Sequence, residues 1–212
     1  MEKIEQLSPM EIEKRSFALI TEELRERNIT LPAEQEDITK RVIHTTADFD
    51  YAETLVYSEN AVAKARGLLS DGAVIVTDTN MALSGISKIA MAKLGVTGLC
   101  FMADPDVAEK AKQRGVTRAA ISMEKAKALD RPTLFAIGNA PTALIRLWEL
   151  MEESNWRPDF VIGVPVGFVH VEQSKELILQ SPVPFIVNRG RKGGSTVAAA
   201  ICNALLYGLT RP

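Results

Sequence analysis

The sequence predicts an α/β fold, a doubly wound and mostly parallel sheet with helices on both faces and an N-terminal helical section. From about residue 73 onward, short apolar runs rich in β-branched residues alternate with helix-compatible segments. The runs are apolar on both faces, as expected for strands buried in a parallel sheet. An alternating order of strands and helices implies right-handed crossovers between parallel strands.

Helices are predicted in the first seventy residues. The segment SPME at 8–11 has the form of a capping box, and an apolar stripe at four-residue spacing follows it, interrupted by the hydroxyl of Ser16. A second helix is predicted to begin near Pro32 and to include His44 near its end. A third is predicted within 59–72. These helices are expected to pack on the sheet that follows.

Six apolar runs are predicted as strands. They are AVIVTD (73–78), VTGLCFM (96–102), VTRAAIS (116–122), TLFAIG (133–138), FVIGVPV (160–166) and VPFIVNR (183–189). Asp104-Pro105 and Asn139-Ala140-Pro141 are each predicted to open a helix between strands. The sequence has no internal repeat, low-complexity segment or long linker, so we expect one domain over residues 1–212.

Composition and charge exclude several classes of protein. With 25 Lys and Arg against 27 Asp and Glu, the net charge of −2 argues against nucleic acid or an anionic membrane as a partner. No apolar stretch approaches the ~20 residues that span a bilayer, and the charged N-terminus lacks the apolar segment of a signal peptide. Cys100 and Cys202 have neither disulfide nor zinc-ligand spacing. We expect a cytoplasmic protein without a metal site.

Polar residues at the predicted strand ends are the first candidates for a site, because ligands of open α/β sheets bind outside the carboxyl ends of the strands. Asp78 and Asn80 follow the first predicted strand, Arg118 lies in the third, Asn139 follows the fourth, and the loop 188–195 follows the last. Asp78 has no second acid nearby in sequence, so catalysis by paired carboxylates is not supported.

The last loop, NRGRKGGST, is the strongest local signal. Three cations stand among three glycines directly before an alanine-rich helix. Glycine allows backbone N–H groups to approach an anion, and a helix N-terminus adds a partial positive charge. The loop therefore suits phosphate or carboxylate, although a solvated turn is the alternative; it matches neither nucleotide motif GxxxxGK[ST] nor GxGxxG. Its candidate ligand-binding residues are Arg189, Arg191, Lys192, Gly193 and Ser195.

His44 and His170 are the only histidines, so any imidazole acid–base chemistry must use one of them. His44 lies where a protonated ring would also stabilise a helix C-terminus, by ~0.3–1 kcal/mol. His170 opens a helix after the fifth predicted strand. The residues alone do not choose between the two. No GxSxG elbow and no cluster of metal ligands is present.

Four segments carry a resemblance to a known family. They are EKRSF (13–17), RVIHTTAD (41–48), GNAPTALIRLWE (138–149) with VIGVPVGFVHVEQSKE (161–176), and RGRKGGST (189–196). In this order they resemble the precorrin-8X methylmutases, isomerases of cobalamin biosynthesis that are called cobalt-precorrin-8 methylmutases in the anaerobic route. The resemblance runs from about residue 8 to the C-terminus.

The resemblance implies a reaction and a set of residues. It implies that a methyl group moves from C-11 to C-12 of precorrin-8X or cobalt-precorrin-8, giving hydrogenobyrinic acid or cobyrinic acid. The catalytic histidine of the family maps onto His44, as proton donor or acceptor, and the substrate-binding serine and arginine map onto Ser16 and Arg118. The basic loop maps onto 189–195. The position of His170 is not usually histidine in the family, which favours His44.

The resemblance also implies a cytoplasmic homodimer that binds a tetrapyrrole and uses no dissociable cofactor. A corrinoid-binding carrier that sequesters the product and hands it to the next pathway enzyme is the alternative function, because binding and catalysis would share residues. A sugar-phosphate enzyme is a third option that rests only on the last loop. Whether the substrate carries cobalt is left open.

Overall fold

A computed structural model describes residues 6–211, which contain a six-stranded sheet in the order β1-β6-β5-β4-β2-β3. All neighbouring strands are parallel except β1, which pairs antiparallel with β6 at one edge. The strands are β1 (Leu55–Tyr57), β2 (Val74–Thr77), β3 (Thr97–Leu99), β4 (Thr133–Ile137), β5 (Phe160–Gly163) and β6 (Phe185–Asn188). Helices of residues 6–211 all fall short of the length and apolarity needed to cross a membrane.

Helices cover both faces of this sheet. The helices are α1 (Pro9–Glu26), α2 (Glu36–Thr46), α3 (Tyr51–Thr54), α4 (Ala61–Ser70), α5 (Asn80–Gly85), α6 (Lys88–Lys93), α7 (Pro105–Arg114), α8 (Arg118–Lys127), α9 (Pro141–Glu153), α10 (Val171–Leu179) and α11 (Ser195–Thr210). On one face, α8, α9 and α10 share a core with the strands. On the other, α11 lies among α4, α5 and α6, with α2 packed on α11 and α1 on α2. The predicted fold class is confirmed.

Strand β4 shows why the runs are apolar throughout. Leu134 and Ala136 belong to the core beneath α11, whereas Phe135 and Ile137 belong to the core beneath α8 and α9. All four are fully buried. Successive side chains of a strand point to opposite faces, so a strand covered on both faces has no position for a polar residue.

The N-terminal capping box is present as predicted. The Ser8 hydroxyl accepts the Glu11 N–H, and the Glu11 carboxylate accepts the Ser8 N–H at 2.8 Å. Ile20 and Leu24 of the predicted stripe are buried, whereas Ile12 is half exposed. The predicted helices within 59–72, after Asp104 and after Asn139 correspond to α4, α7 and α9.

The predicted strand at 116–122 is wrong, because these residues begin α8. Thr117 is the N-cap, and its hydroxyl accepts the Ala120 N–H at 3.2 Å. Ala119, Met123 and Ala126 then face the core at helical spacing. An N-cap threonine followed by good helix formers outweighed the short apolar run. Arg118 is therefore a first-turn helix residue.

The short strand β1 was not predicted and lies inside the N-terminal helical section. It pairs with β6 through Leu55 opposite Asn188 and Tyr57 opposite Ile186. Three residues give too little periodicity for a strand to be recognised in the sequence. The consequence for the site is that α3 and the corner before it are fixed beside the end of β6.

The strand order reverses between β2 and β4. From β2 the chain passes to β3 on one side, and β4, β5 and β6 follow on the other. Such a reversal opens a crevice at the carboxyl ends of the two strands, where α/β proteins bind ligands. Asp78 follows β2 and Gly138 follows β4, so both lie at this crevice.

Candidate functional site

Asp78 is buried at the crevice and holds one of its loops. Its carboxylate is fully buried and accepts the backbone N–H groups of Gly138 at 2.9 Å, Asn139 at 2.8 Å and Ala140 at 2.6 Å. Burial raises the pKa of Asp78, and the three N–H donors act in the opposite direction. The side chain that the sequence singled out as a substrate ligand thus holds the loop between β4 and α9 in place.

The other polar residues at the crevice divide into exposed and buried groups. Asn80, the first residue of α5, and Asn139 have exposed side chains. Ser195 is buried, and its hydroxyl lies 2.8 Å from that of Thr79, so the starts of α5 and α11 are joined. The Thr79 hydroxyl also accepts the Ala82 N–H at 3.0 Å. The structure therefore brings Asp78, Asn80, Asn139 and Ser195 together.

Two glycines allow the loops after β4, β5 and β6 to touch. A Cβ atom on Gly138 would lie 2.7 Å from the Gly194 carbonyl oxygen, and one on Gly193 would lie 2.0 Å from the Val164 carbonyl oxygen. Gly193 also has φ +156°, a region that side-chain-bearing residues rarely adopt. Close approach of three backbones thus explains why glycine occupies these positions.

A buried lysine holds the last loop. Lys175 of α10 is fully buried, and its ammonium donates to the carbonyl oxygens of Gly190 at 2.7 Å and Lys192 at 2.8 Å. Asn188 donates from its amide to the carbonyls of Arg189 and Lys192, both at 3.0 Å. Burial lowers the pKa of Lys175 to about 8. The loop is therefore fixed from inside the protein, not a freely solvated turn.

The three cations of this loop have different partners. Lys192 reaches back to Asp48 at 2.6 Å and Asp50 at 2.5 Å, and hydrogen bonds from these two carboxylates raise its pKa. Arg189 lies 3.6 Å from Glu176, and Arg191 lies 3.3 Å from Glu172, with all four side chains exposed. Exposed pairs of this kind are weak, so both guanidinium groups can exchange to a ligand.

His44 stands in the last turn of α2 with an exposed ring. His44 lines a cavity of about 420 Å³ together with Ser16, and it also lines a second cavity of about 300 Å³. No residue within 6–211 forms a side-chain hydrogen bond with the imidazole. The Ser16 hydroxyl donates to the Ile12 carbonyl at 2.8 Å. The two residues matched to the family thus share one cavity.

Phe17 and Arg41 support the histidine ring. The rings of Phe17 and His44 lie 5.3 Å apart, tilted by 38°. The Arg41 guanidinium lies 4.6 Å from the Phe17 ring centroid and pairs with Glu13 at 2.7 Å. The ion pair between Arg41 and Glu13 joins α2 to α1. The contact of the Arg41 guanidinium with the Phe17 ring keeps that ring against the imidazole.

The cavity of about 300 Å³ links His44 to the crevice. Its lining includes Thr196, the residue after Ser195 in the first turn of α11. The pairing of Lys192 with Asp48 and Asp50 joins the last loop to the chain just beyond His44. These contacts place the last loop and the start of α11 next to the C-terminal end of α2, which carries His44.

Arg118 lies outside both cavities next to His44. It is exposed at the start of α8, and the preceding Thr117 donates its hydroxyl to Thr142 at 2.8 Å. Since Thr142 lies in the first turn of α9, Arg118 stands near the carboxyl edge of the sheet.

Within 6–211, no group of three His, Cys, Asp or Glu side chains is placed to hold a metal ion.

Three supporting residues were missed by the sequence analysis. Lys175 stands on the apolar stripe of α10 with Val171, Ser174 and Ile178, so a lysine at a core position was the available signal. Asp48 and Asp50 neutralise Lys192, but their spacing in the sequence carries no recognisable motif. Contacts between residues more than 140 positions apart have no local pattern.

Known proteins resemble this chain over nearly its full length. The family model for precorrin-8X methylmutase matches residues 11–208. The cobalt-precorrin-8 methylmutase of Salmonella typhimurium is 45% identical over 206 residues, covering 95% of this chain and 96% of the relative. The precorrin-8X methylmutase of Pseudomonas aeruginosa is 36% identical over 196 residues, covering 92% and 93%. The solved precorrin-8X methyl mutase of Thermus thermophilus has a TM-score of 0.82 at 32% identity, covering 92% of this chain and 95% of that one.

Proposed function

The chain belongs to the precorrin-8X methylmutase family, isomerases of cobalamin biosynthesis, and on this premise we propose that it moves a methyl group from C-11 to C-12 of precorrin-8X or cobalt-precorrin-8. The product is hydrogenobyrinic acid or cobyrinic acid. Both substrate names occur among the relatives. The exposed imidazole of His44, on the wall shared by two cavities, is the observation that carries the proposal.

His44 acts as proton donor and acceptor. A methyl shift within one molecule conserves all atoms, so the reaction needs no co-reactant and has no leaving group. The protein only lends a proton. Protonation of the macrocycle raises the electron demand at the carbon that receives the methyl group, and the same proton returns to the imidazole afterwards. An imidazole exchanges protons near neutral pH, and a well-placed proton transfer is typically worth ~10²–10⁴ in rate.

The macrocycle lies along the carboxyl edge of the sheet, with its apolar ring toward His44 and its carboxylates toward the loops. Arg189 and Arg191 are exposed and weakly paired, so they can bind carboxylates as bidentate donors. Asn80 and Asn139 present exposed amides at the same edge. Asp78, Gly193 and Ser195 hold the loops that carry these groups.

Ser16 and Arg118 contact the macrocycle from its two ends. Ser16 shares the cavity of about 420 Å³ with His44, and its hydroxyl can turn from the Ile12 carbonyl to the ligand. Arg118 projects into solvent at the edge of the sheet, where a peripheral carboxylate of a large ligand would reach it. Lys192 serves mainly to fasten the loop to Asp48 and Asp50.

The test is turnover by His44→Asn beside the parent and the matched control His170→Asn. The parent is expected to convert many equivalents of precorrin-8X, followed by the change in the absorption spectrum. His44→Asn is expected to bind the product as tightly as the parent but to turn over at least ~100-fold more slowly. Asparagine tolerates the left-handed conformation at position 170, φ +59°, so the control is expected to remain active.

Two results would contradict the proposal. Conversion by the parent that stops at one equivalent would identify a corrinoid carrier instead of an enzyme. Turnover by His44→Asn at the parental rate would show that His44 takes no part in the chemical step.

The assembly and location of the protein follow from the same proposal. We expect a cytoplasmic homodimer without a dissociable cofactor that can pass its product to the next enzyme of the pathway. Large apolar side chains that are exposed in the single chain support an assembly: Met10 is 82% exposed and Phe168 is 83% exposed.

A further inference from the structure

We infer that Lys175 makes the last loop a receptor for carboxylate that rejects carboxamide, so that the protein distinguishes the free-acid macrocycle from its amidated forms. The inference rests on the proposed function, because it concerns the side groups of the same ligand. Lys175 is a positioning residue: it lies inside the protein and acts through the loop backbone, not on the ligand.

The backbone carbonyl oxygens of the last loop point into the protein and already accept hydrogen bonds. Lys175 donates to the carbonyls of Gly190 and Lys192, at 2.7 Å and 2.8 Å. The Asn188 amide donates to the carbonyl of Arg189 at 3.0 Å, and the Gly167 N–H donates to that of Arg191 at 3.2 Å. Four consecutive carbonyl oxygens, at 189–192, therefore accept hydrogen bonds from the protein itself.

The backbone N–H groups of the same loop are left for a ligand. Within residues 6–211, those of 190–193 have no hydrogen-bond acceptor. The first turn of α11 begins just beyond them, and its partial positive charge adds to theirs. Successive unpaired N–H groups flanked by arginines provide several hydrogen-bond donors that suit an anion.

A loop of donors without free acceptors distinguishes two similar ligand groups. A carboxylate offers only acceptors, and its charge strengthens each bond from N–H or guanidinium. A carboxamide of the same shape presents an NH₂ group whose two donors meet donors and remain unpaired. Opposed donors, together with the loss of charge on the ligand, are expected to make the amide bind more weakly than the acid.

Burial of a lysine without a carboxylate at its ammonium is unfavourable, as the lowering of its pKa to about 8 indicates. The ammonium nevertheless contacts only main-chain carbonyls among the described residues. Glu172, on the same helix, is the charged group that acts on this ammonium, and its carboxylate already pairs with Arg191. The contacts made by Lys175 therefore serve the conformation of the loop.

The experiment compares the binding of two probes, hydrogenobyrinic acid and the same macrocycle with its carboxylates converted to carboxamides. Dissociation constants are measured by absorbance titration for the parent, Lys175→Met, Lys175→Arg and the exposed-lysine control Lys64→Met. The parent and Lys64→Met are expected to bind the acid at least about tenfold more tightly than the amide. Lys175→Met is expected to lose most of this ratio, and Lys175→Arg, which keeps the donors, to retain more of it.

A second readout separates a local effect from a general loss of structure. For Lys175→Met, KM is expected to rise about tenfold with kcat changed less than about threefold, and amide hydrogen exchange is expected to quicken at 189–194 only. Equal affinity of the parent for acid and amide would overturn the inference, whether or not any variant folds. An unchanged acid-to-amide ratio in a folded Lys175→Met would also overturn it. A parent that binds selectively without turnover would contradict the proposed function alone.

Discussion

At the scale of single residues, Lys175 couples stability to pH in the alkaline range. Burial lowers its pKa in the folded state to about 8 from an ordinary value of 10.5. Between these two values the unfolded chain binds the extra proton, so the folded state gains stability as pH rises. The free energy of unfolding of the parent, relative to that of Lys175→Met, is expected to increase by roughly 2 kcal/mol between about pH 8 and pH 10. Urea titrations of both proteins measure this; a flat difference would mean that burial leaves the Lys175 pKa near its ordinary value.

Asp78 is expected to matter for stability as much as for binding. In Asp78→Asn, one of the two oxygens that accept N–H groups at 2.6–2.9 Å is replaced by an NH₂ donor. An unsatisfied buried donor typically costs ~1–3 kcal/mol. Chemical denaturation should show that loss, whereas the exposed-aspartate control Asp130→Asn should stay within about 0.5 kcal/mol of the parent. Equal stability of the two variants would mean that Asp78 does not hold the β4–α9 loop.

At the scale of elements, two glycines of the last loop separate backbone strain from steric conflict. Both have positive φ, +73° at Gly190 and +156° at Gly193, but only at Gly193 would a Cβ meet another backbone, 2.0 Å from the Val164 carbonyl oxygen. Gly190→Ala is expected to cost about 1 kcal/mol and to keep product affinity within about threefold. Gly193→Ala is expected to displace the loop and weaken product binding at least about tenfold. Titration of both variants with hydrogenobyrinic acid measures their affinities for the product. Equal affinities of Gly190→Ala and Gly193→Ala would contradict this packing of the loops after β5 and β6.

The sequence predicts most elements because their signals are local. Buried strands such as β4 are apolar throughout, and a capping box marks the start of α1. The segment 116–122 was misassigned because an N-cap threonine and an apolar run compete over seven residues, and β1 was missed because its stability comes from pairing with β6, far away in sequence.

The candidate site was only partly predictable for the same reason. Strand-end positions such as Asn139 follow from the strand pattern, and His44 follows from the resemblance; in the structure both residues are exposed. The supporting contacts of Lys175, and the burial of Asp78 under three N–H donors, depend on tertiary packing. The sequence shows which residues lie at the edge of the sheet. It does not show which of them, like Asp78, are buried and hold neighbouring loops.

At the scale of the whole molecule, the exposed apolar side chains bear on assembly. Met10 and Leu19 of α1 and Val169 of the β5–α10 loop are exposed by 82%, 57% and 72%. A homodimer would remove such side chains from water. Light scattering on the purified protein is expected to give twice the chain mass of 23.2 kDa. A mass of one chain at micromolar concentration would contradict the dimer.

The central claim is that a polycarboxylate macrocycle lies along the carboxyl edge of the sheet within reach of His44. A crystal structure of the protein with hydrogenobyrinic acid tests it most directly. We expect an imidazole nitrogen of His44 about 2.6–3.2 Å from a macrocycle atom, and a carboxylate of the ligand on the N–H groups of 190–193. A macrocycle bound elsewhere, with the His44 ring facing water, would contradict the claim.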